Sequence, residues 1–158
     1  MQKPLTEKRL ENIALFYLEK FDASSEKLRL VLMRRIKRHQ MQGIPVNENA
    51  TLWVHDIIQK CQRLGYINDE RYAQNVIRRL SNSGKSARFI QQKLITEGIP
   101  EETISAFLSA DDEYQRAQIF AHKQHLGNHY EKDLAKLARA GFSYDIARQV
   151  LQQKDENV

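Results

Sequence analysis

Apolar residues return every three or four positions along almost the whole chain, the periodicity of amphipathic helices. Ile13, Phe16, Tyr17 and Leu18 predict a first helix ending near Phe21-Asp22. Leu28, Leu32 and Ile36 predict a second, with Ser24 or Ser25 placed to accept the free amides at its start. Trp53, Ile57, Cys61 and Leu64 form the stripe of a third, stopped at Gly65. Asn68-Asp69-Glu70 opens a fourth as a cap residue followed by two acids, with Ala73, Val76, Ile77 and Leu80 facing inward. Ile90 and Leu94 mark a fifth, ending at Gly98, and Pro100 opens a sixth with Ile104, Phe107 and Leu108. Three more follow from Ile119 and Phe120, Leu134 and Leu137, and Ile146, Val150 and Leu151. No segment shows the pattern of a strand, so the expected fold class is all-α.

The helices repeat. A shift of 43 residues lays Gly84 on Gly127, Leu94 on Leu137, Gly98 on Gly141, Ile99 on Phe142 and Leu108 on Leu151. A shift of 62 lays Leu18 on Leu80, Ser24 on Ser86, Leu28 on Ile90 and Leu32 on Leu94. The larger shift is absorbed by residues 37–49, a polar segment containing Gly43 and Pro45 that reads as a long loop. The expected organisation is three tandem three-helix repeats: residues 1–67 with the long loop near 37–49, residues 68–110, and residues 111–158. Units that contact mainly their neighbours are expected to build an elongated, curved array suited to an extended partner.

Composition narrows the class. Of 158 residues 41% are hydrophobic and 28% charged, enough of both for a folded chain, and three prolines and six glycines disfavour a loop-rich or all-β design. The single cysteine, Cys61, excludes an internal disulfide framework and fits a reducing compartment. The charged N-terminal stretch lacks the apolar run of a signal peptide or membrane span, so a cytoplasmic protein is expected; a monomer is a separate expectation. A net charge of +5 is compatible with a polyanionic partner without identifying one.

Candidate chemistry is sparse. Ser83-Gly84-Lys85-Ser86 ends like a phosphate-binding loop, but the glycine required five residues earlier is Arg79 and the flank reads as helix. Gly84 is therefore expected to turn the chain between two helices, with Ser86 capping the second. His122, His125 and His129 lack further ligands with suitable spacing, and Cys61 lies on an apolar stripe. No catalytic constellation, metal site or cofactor is expected. The basic residues say more: Arg71 and Arg78 share one face of the fourth helix with Arg79 beside it, and Lys85 and Arg88 follow in the next turn. A solvated face explains any one of these. Their convergence favours contact with phosphate or acidic protein. Arg34, Arg35 and Arg38 form a second set, partly explained by the negative end of their helix. Arg71 has a local alternative, pairing with Asp69 or Glu70. Tyr72 and Phe89 fall at periodic positions and are expected in the core rather than stacked on bases.

The stretch Leu64-Gly65-Tyr66-Ile67-Asn68-Asp69-Glu70-Arg71-Tyr72-Ala73 resembles the junction between the first two repeats of the RecX regulatory proteins. Arg79, Gly84, Ser86, Ile90, Leu94, Gly98 and Ile99 follow at the spacing of that family's second repeat. Ala14, Tyr17, Leu18, Ser24, Leu28 and Leu32 are similar to its first. Asp133-Leu134, Gly141 to Asp145 and Ala147-Arg148 are similar to the third repeat of some members. The resemblance implies a non-enzymatic modulator that lies in the groove of the RecA–single-stranded-DNA filament. It would block extension or promote disassembly, lowering RecA's ATPase, strand-exchange and coprotease activities. The implied partner is the RecA filament, with single- and double-stranded DNA as further candidates. Arg71, Arg78, Arg79, Lys85 and Arg88 are the expected contact residues, and Arg34, Arg35 and Arg38 the second choice. A direct DNA-binding protein and a helical scaffold for acidic peptides are the competing readings.

Overall fold

Nine α-helices and one short 3-10 turn make up the computed structural model, which describes residues 3–156; no strand occurs among them. The helices are α1 (Glu7–Lys20), α2 (Ser25–Met41), α3 (Ala50–Arg63), α4 (Asp69–Asn82), α5 (Ala87–Thr96), α6 (Glu101–Phe107), α7 (Glu113–Lys123), α8 (Tyr130–Arg139) and α9 (Tyr144–Glu156), with the 3-10 turn at Ala110–Asp112. Side-chain caps start several of them. Ser24 Oγ accepts from Lys27 N at 3.1 Å, Asn68 Oδ1 from Arg71 N at 3.0 Å, and Ser86 Oγ from Phe89 N at 3.1 Å. Each cap satisfies an amide that has no partner inside its helix, a contribution of about 1 kcal/mol.

The chain divides into two compact units, Met1–Tyr72 and Ala73–Val158. In the first, Leu10 and Ala14 of α1, Leu28, Leu32 and Ile36 of α2, and Val54, Ile57 and Cys61 of α3 close one core, with Trp53 and Tyr17 partly buried against it. In the second, Ala117 and Ala121 of α7, Leu137 of α8, and Ala147, Val150 and Leu151 of α9 form a core with Leu126 and Phe142. Each fully buried leucine or valine contributes about 1.5–3 kcal/mol by leaving water.

The second helix of each three-helix set ends alike. Ile44 N donates to His39 O, Ile99 N to Leu94 O, and Phe142 N to Leu137 O, all at 3.0–3.1 Å, around Gly43, Gly98 and Gly141. Aligning those ends corrects the expected loop. Residues 37–41 are helical, because Ile36 and His39 extend the buried stripe, and the connection begins only at Gln42. α2 holds 17 residues against 10 in α5 and in α8, a surplus of about two turns. Much of the larger shift between the first two repeats is therefore extra helix.

Three smaller expectations are also corrected. Leu64 is 51% exposed, because it caps α3 past the end of the buried stripe formed by Val54, Ile57 and Cys61. Pro100 is the residue before α6, with extended backbone, and not its first helical residue. The structural counterpart of Gly84 is His125. Lys85 N donates to Leu80 O across Gly84, and Leu126 N donates to Ala121 O across His125, whose φ of 54° is left-handed.

A second recurring bond ties each second helix to the start of the set that follows. The first amide of α2, Ser25 N, donates to Asp69 Oδ1 at the start of α4 at 2.8 Å. The first amide of α5, Ala87 N, donates to Glu113 Oε2 at the start of α7 at 3.0 Å. A carboxylate at the first turn of one helix thus satisfies an orphan donor of another and complements the positive ends of both. At α8 the carboxylate comes from inside: Asp133 accepts from Gly127 N at 2.8 Å and His129 N at 3.2 Å. Burial raises the Asp133 carboxyl, but those two amides together with the nearby charges of Lys136 and His129 outweigh it and hold the group below its ordinary value.

Candidate partner-binding surface

The core stripe of α4, Tyr72, Ala73, Val76 and Ile77, fixes where its cations go. Arg71 and Arg78 lie seven residues apart, about 20° from one another around the axis, on the side opposite that stripe. Both are exposed and both are locally steadied: Arg71 Nη2 donates to Gly65 O at 3.3 Å and Arg78 Nη2 to Asn75 Oδ1 at 2.7 Å. Arg71 thus binds a backbone carbonyl, and among the described residues no ion pair joins it to Asp69 or Glu70. Arg79 is exposed on the flank of the same helix.

The turn after α4 accounts for the glycine in Ser83-Gly84-Lys85-Ser86. Gly84 has φ +82°, and a Cβ there would lie 2.7 Å from Phe120 N, inside the backbone of α7. Two successive amides of the turn are consumed in closing α4, Gly84 N on Ser81 O and Lys85 N on Leu80 O. No phosphate cradle forms from them. Lys85 and Arg88 nevertheless project outward, and the Lys85 ammonium lies 4.8 Å from the centroid of the Phe89 ring.

Arg34 and Arg38 are exposed on α2, and Arg35 is half-buried, its carbonyl bonded to His39 Nδ1 at 3.0 Å. These three belong to the first unit, whereas Arg78, Arg79, Lys85 and Arg88 belong to the second. Ion pairs elsewhere commit other cations: Arg29 to Glu26, Lys60 to Glu11, Lys93 to Glu97 and Arg116 to Glu113. Among the described residues, Arg34, Arg38, Arg79 and Arg88 enter no ion pair, so their charges are available to a partner.

Three features depart from what the sequence pattern predicts. Arg116 is only 2% exposed, although it is charged. Its signal was its position, one turn before Phe120 on the inward stripe of α7. Phe89, expected in the core, is 44% exposed, because the buried face of α5 runs through Ser86, Ile90 and Leu94 and leaves position 89 at its edge. Arg139, an ordinary last-turn cation in the sequence, stands beside Arg88 at a cleft of about 500 Å³. Among the described residues no cluster of histidine, cysteine, aspartate and glutamate is arranged to hold a metal ion, and no helix is long and apolar enough to cross a membrane.

A family model described as the second three-helix domain of RecX matches residues 68–108, from the cap of α4 to the residue that ends α6. The regulatory protein RecX of Myxococcus xanthus is 37% identical over 156 residues, covering 90% of this chain and 83% of that protein. That of Agrobacterium fabrum is 28% identical over 160 residues, covering 92% and 83%. A crystal structure of RecX from Lactobacillus salivarius superposes with a TM-score of 0.68 at 22% identity, over 94% of this chain and 96% of that one. A second crystal structure of regulatory protein RecX gives 0.64 at 19% identity, over 91% and 70%. The two structures establish a common three-helix-repeat fold.

Proposed function

The chain belongs to the RecX family of regulatory proteins, and from that premise we propose that it is a non-enzymatic negative modulator of the RecA recombinase. It binds in the groove of the RecA–single-stranded-DNA filament, blocks extension or promotes disassembly, and so lowers ATPase, strand-exchange and coprotease activities. DNA repair and the SOS response are the processes it regulates. The observation that carries the reading is the 37% identity to a RecX protein across most of both chains.

The proposed contact surface consists of exposed cations that enter no ion pair among the described residues. Arg78, Arg79, Lys85 and Arg88 sit within the matched second repeat, and Arg71 opens it. Exposed cations of this kind raise encounter rates with an acidic surface or with phosphate and lose that advantage as salt rises. Arg34, Arg35 and Arg38 supply a further set on the first unit.

Co-sedimentation with filaments tests the binding step. RecA assembled on single-stranded DNA with a slowly hydrolysed ATP analogue should carry the protein into the pellet, and the bound fraction should fall with added salt. Protein that stays in the supernatant with excess filament present, yet binds duplex DNA tightly, contradicts the reading.

A further inference from the structure

The cleft beside Arg88 has a chemistry that the filament reading does not use. It lies between the first turn of α5 and the last turn of α8 and is lined by Arg88, Phe89 and Gln92 on one side and by Ala138 to Gly141 on the other. Its lining residues include two arginines, a glutamine and a phenylalanine, with no acidic residue. The cleft between α4, α6 and α7 is different, since its lining includes an acidic residue, Asp112, along with Arg78 and Arg116.

The close approach that forms the cleft depends on Gly141. A Cβ at this position would lie 2.5 Å from Ser86 Oγ and 3.5 Å from Arg88 Cβ, so only glycine lets the end of α8 sit against the start of α5. Ser86 Oγ, which caps α5, also donates to Ala140 O at 2.8 Å and locks the two helix ends together. The carbonyl end of a helix ordinarily repels anions. Here Ala138 O accepts from Gly141 N and Ala140 O from Ser86, so two of those carbonyls are already engaged. Among the described residues, neither Arg88 nor Arg139 enters an ion pair or a side-chain hydrogen bond.

We propose that this cleft holds one nucleotide unit of a single-stranded nucleic acid, with its phosphate on Arg88 and Arg139 and its base against Phe89. Paired guanidinium groups match the geometry of a phosphodiester. An aromatic ring at the edge of a basic groove offers every base a surface on which to stack, which gives affinity without sequence preference. Lys85, held over the Phe89 ring, extends the positive field to the neighbouring phosphate. A duplex does not meet these requirements, because its bases are already stacked on one another. An acidic peptide would use the cations and leave the ring idle.

The test needs no RecA. A fluorescein-labelled oligothymidylate of about 20 nucleotides is titrated with the full chain and followed by anisotropy at several salt concentrations. Phe89→Ala should weaken binding about tenfold, and Phe89→Tyr, which keeps an aromatic face, should restore it. Arg139→Gln should weaken binding and make the log–log salt dependence shallower by about 0.7. On an abasic oligomer of equal length, Phe89→Ala should have no effect while Arg139→Gln still weakens binding. Equal loss on both strands for Phe89→Ala overturns the base contact. Full affinity in both Phe89→Ala and Arg139→Gln overturns the site, as does a glutamate-rich peptide that needs both arginines where the oligomer does not bind. Because RecA is absent, failure here is distinguishable from failure of the filament reading, which co-sedimentation judges.

Discussion

Replacing Arg116 with alanine is expected to lower the unfolding free energy by about 3–5 kcal/mol, because it removes the buried partner of an ion pair together with its other hydrogen bonds. The guanidinium is 2% exposed and its Nη1 lies 3.1 Å from Glu113 Oε2. The same nitrogen donates to Ser109 O at 3.0 Å, and Nε donates to Ser81 Oγ at 3.0 Å. One side chain therefore joins the end of α4, the residue before the 3-10 turn, and α7. Glu113 also receives the first amide of α5, so the pair carries the bond that recurs at the start of α2. Truncation strands the Ser109 carbonyl, leaves the carboxylate without its cation and opens a cavity. Lysine in its place should recover only part of the loss, since a single ammonium lacks the fork that reaches all three acceptors. Chemical denaturation followed by circular dichroism measures the change, and a loss below about 1 kcal/mol would show the pair to be dispensable.

Charge reversal on the outward face should leave the fold standing and remove inhibition. Arg78, Arg79 and Arg88 are exposed, and of their side chains only that of Arg78 makes an internal hydrogen bond, to Asn75. Replacing all three with glutamate turns attraction for an acidic or phosphate surface into repulsion. The concentration giving half-maximal suppression of RecA's ATPase should rise at least about tenfold, equivalent to about 1.4 kcal/mol of lost binding. Circular dichroism should match that of the unaltered chain. Unchanged suppression with an intact helical signal would remove this face from the account. The corresponding reversal of Arg34, Arg35 and Arg38 then becomes the informative variant.

The fold was legible because its helices are bounded by signals that act locally. Ser24, Asn68 and Ser86 sit where a free amide needs an acceptor, and Gly65 and Gly98 sit where helices stop. What escaped depends on contacts distant in the chain. Residues 37–49 looked like a loop because their composition is polar, yet burial of His39 continues α2 through its first turn. Residue type pairs Gly84 with Gly127, whereas His125 holds the equivalent left-handed position in the fold. The basic set on α4 and α5 could be named because charge is visible in sequence. The cleft could not, because it requires Arg88 and Arg139, from two different helices, to stand at one place. Period alone places Phe89 inward, and its 44% exposure shows the limit of period at the edge of a stripe.

ATP hydrolysis by preassembled filaments tests the proposed action on RecA. Filaments are assembled on single-stranded DNA with ATP until hydrolysis is steady, and the protein is then added well below the RecA concentration. Hydrolysis should decline progressively after addition, as filaments stop extending or come apart. A rate that stays constant at equimolar and higher protein, with the added chain folded, would contradict it.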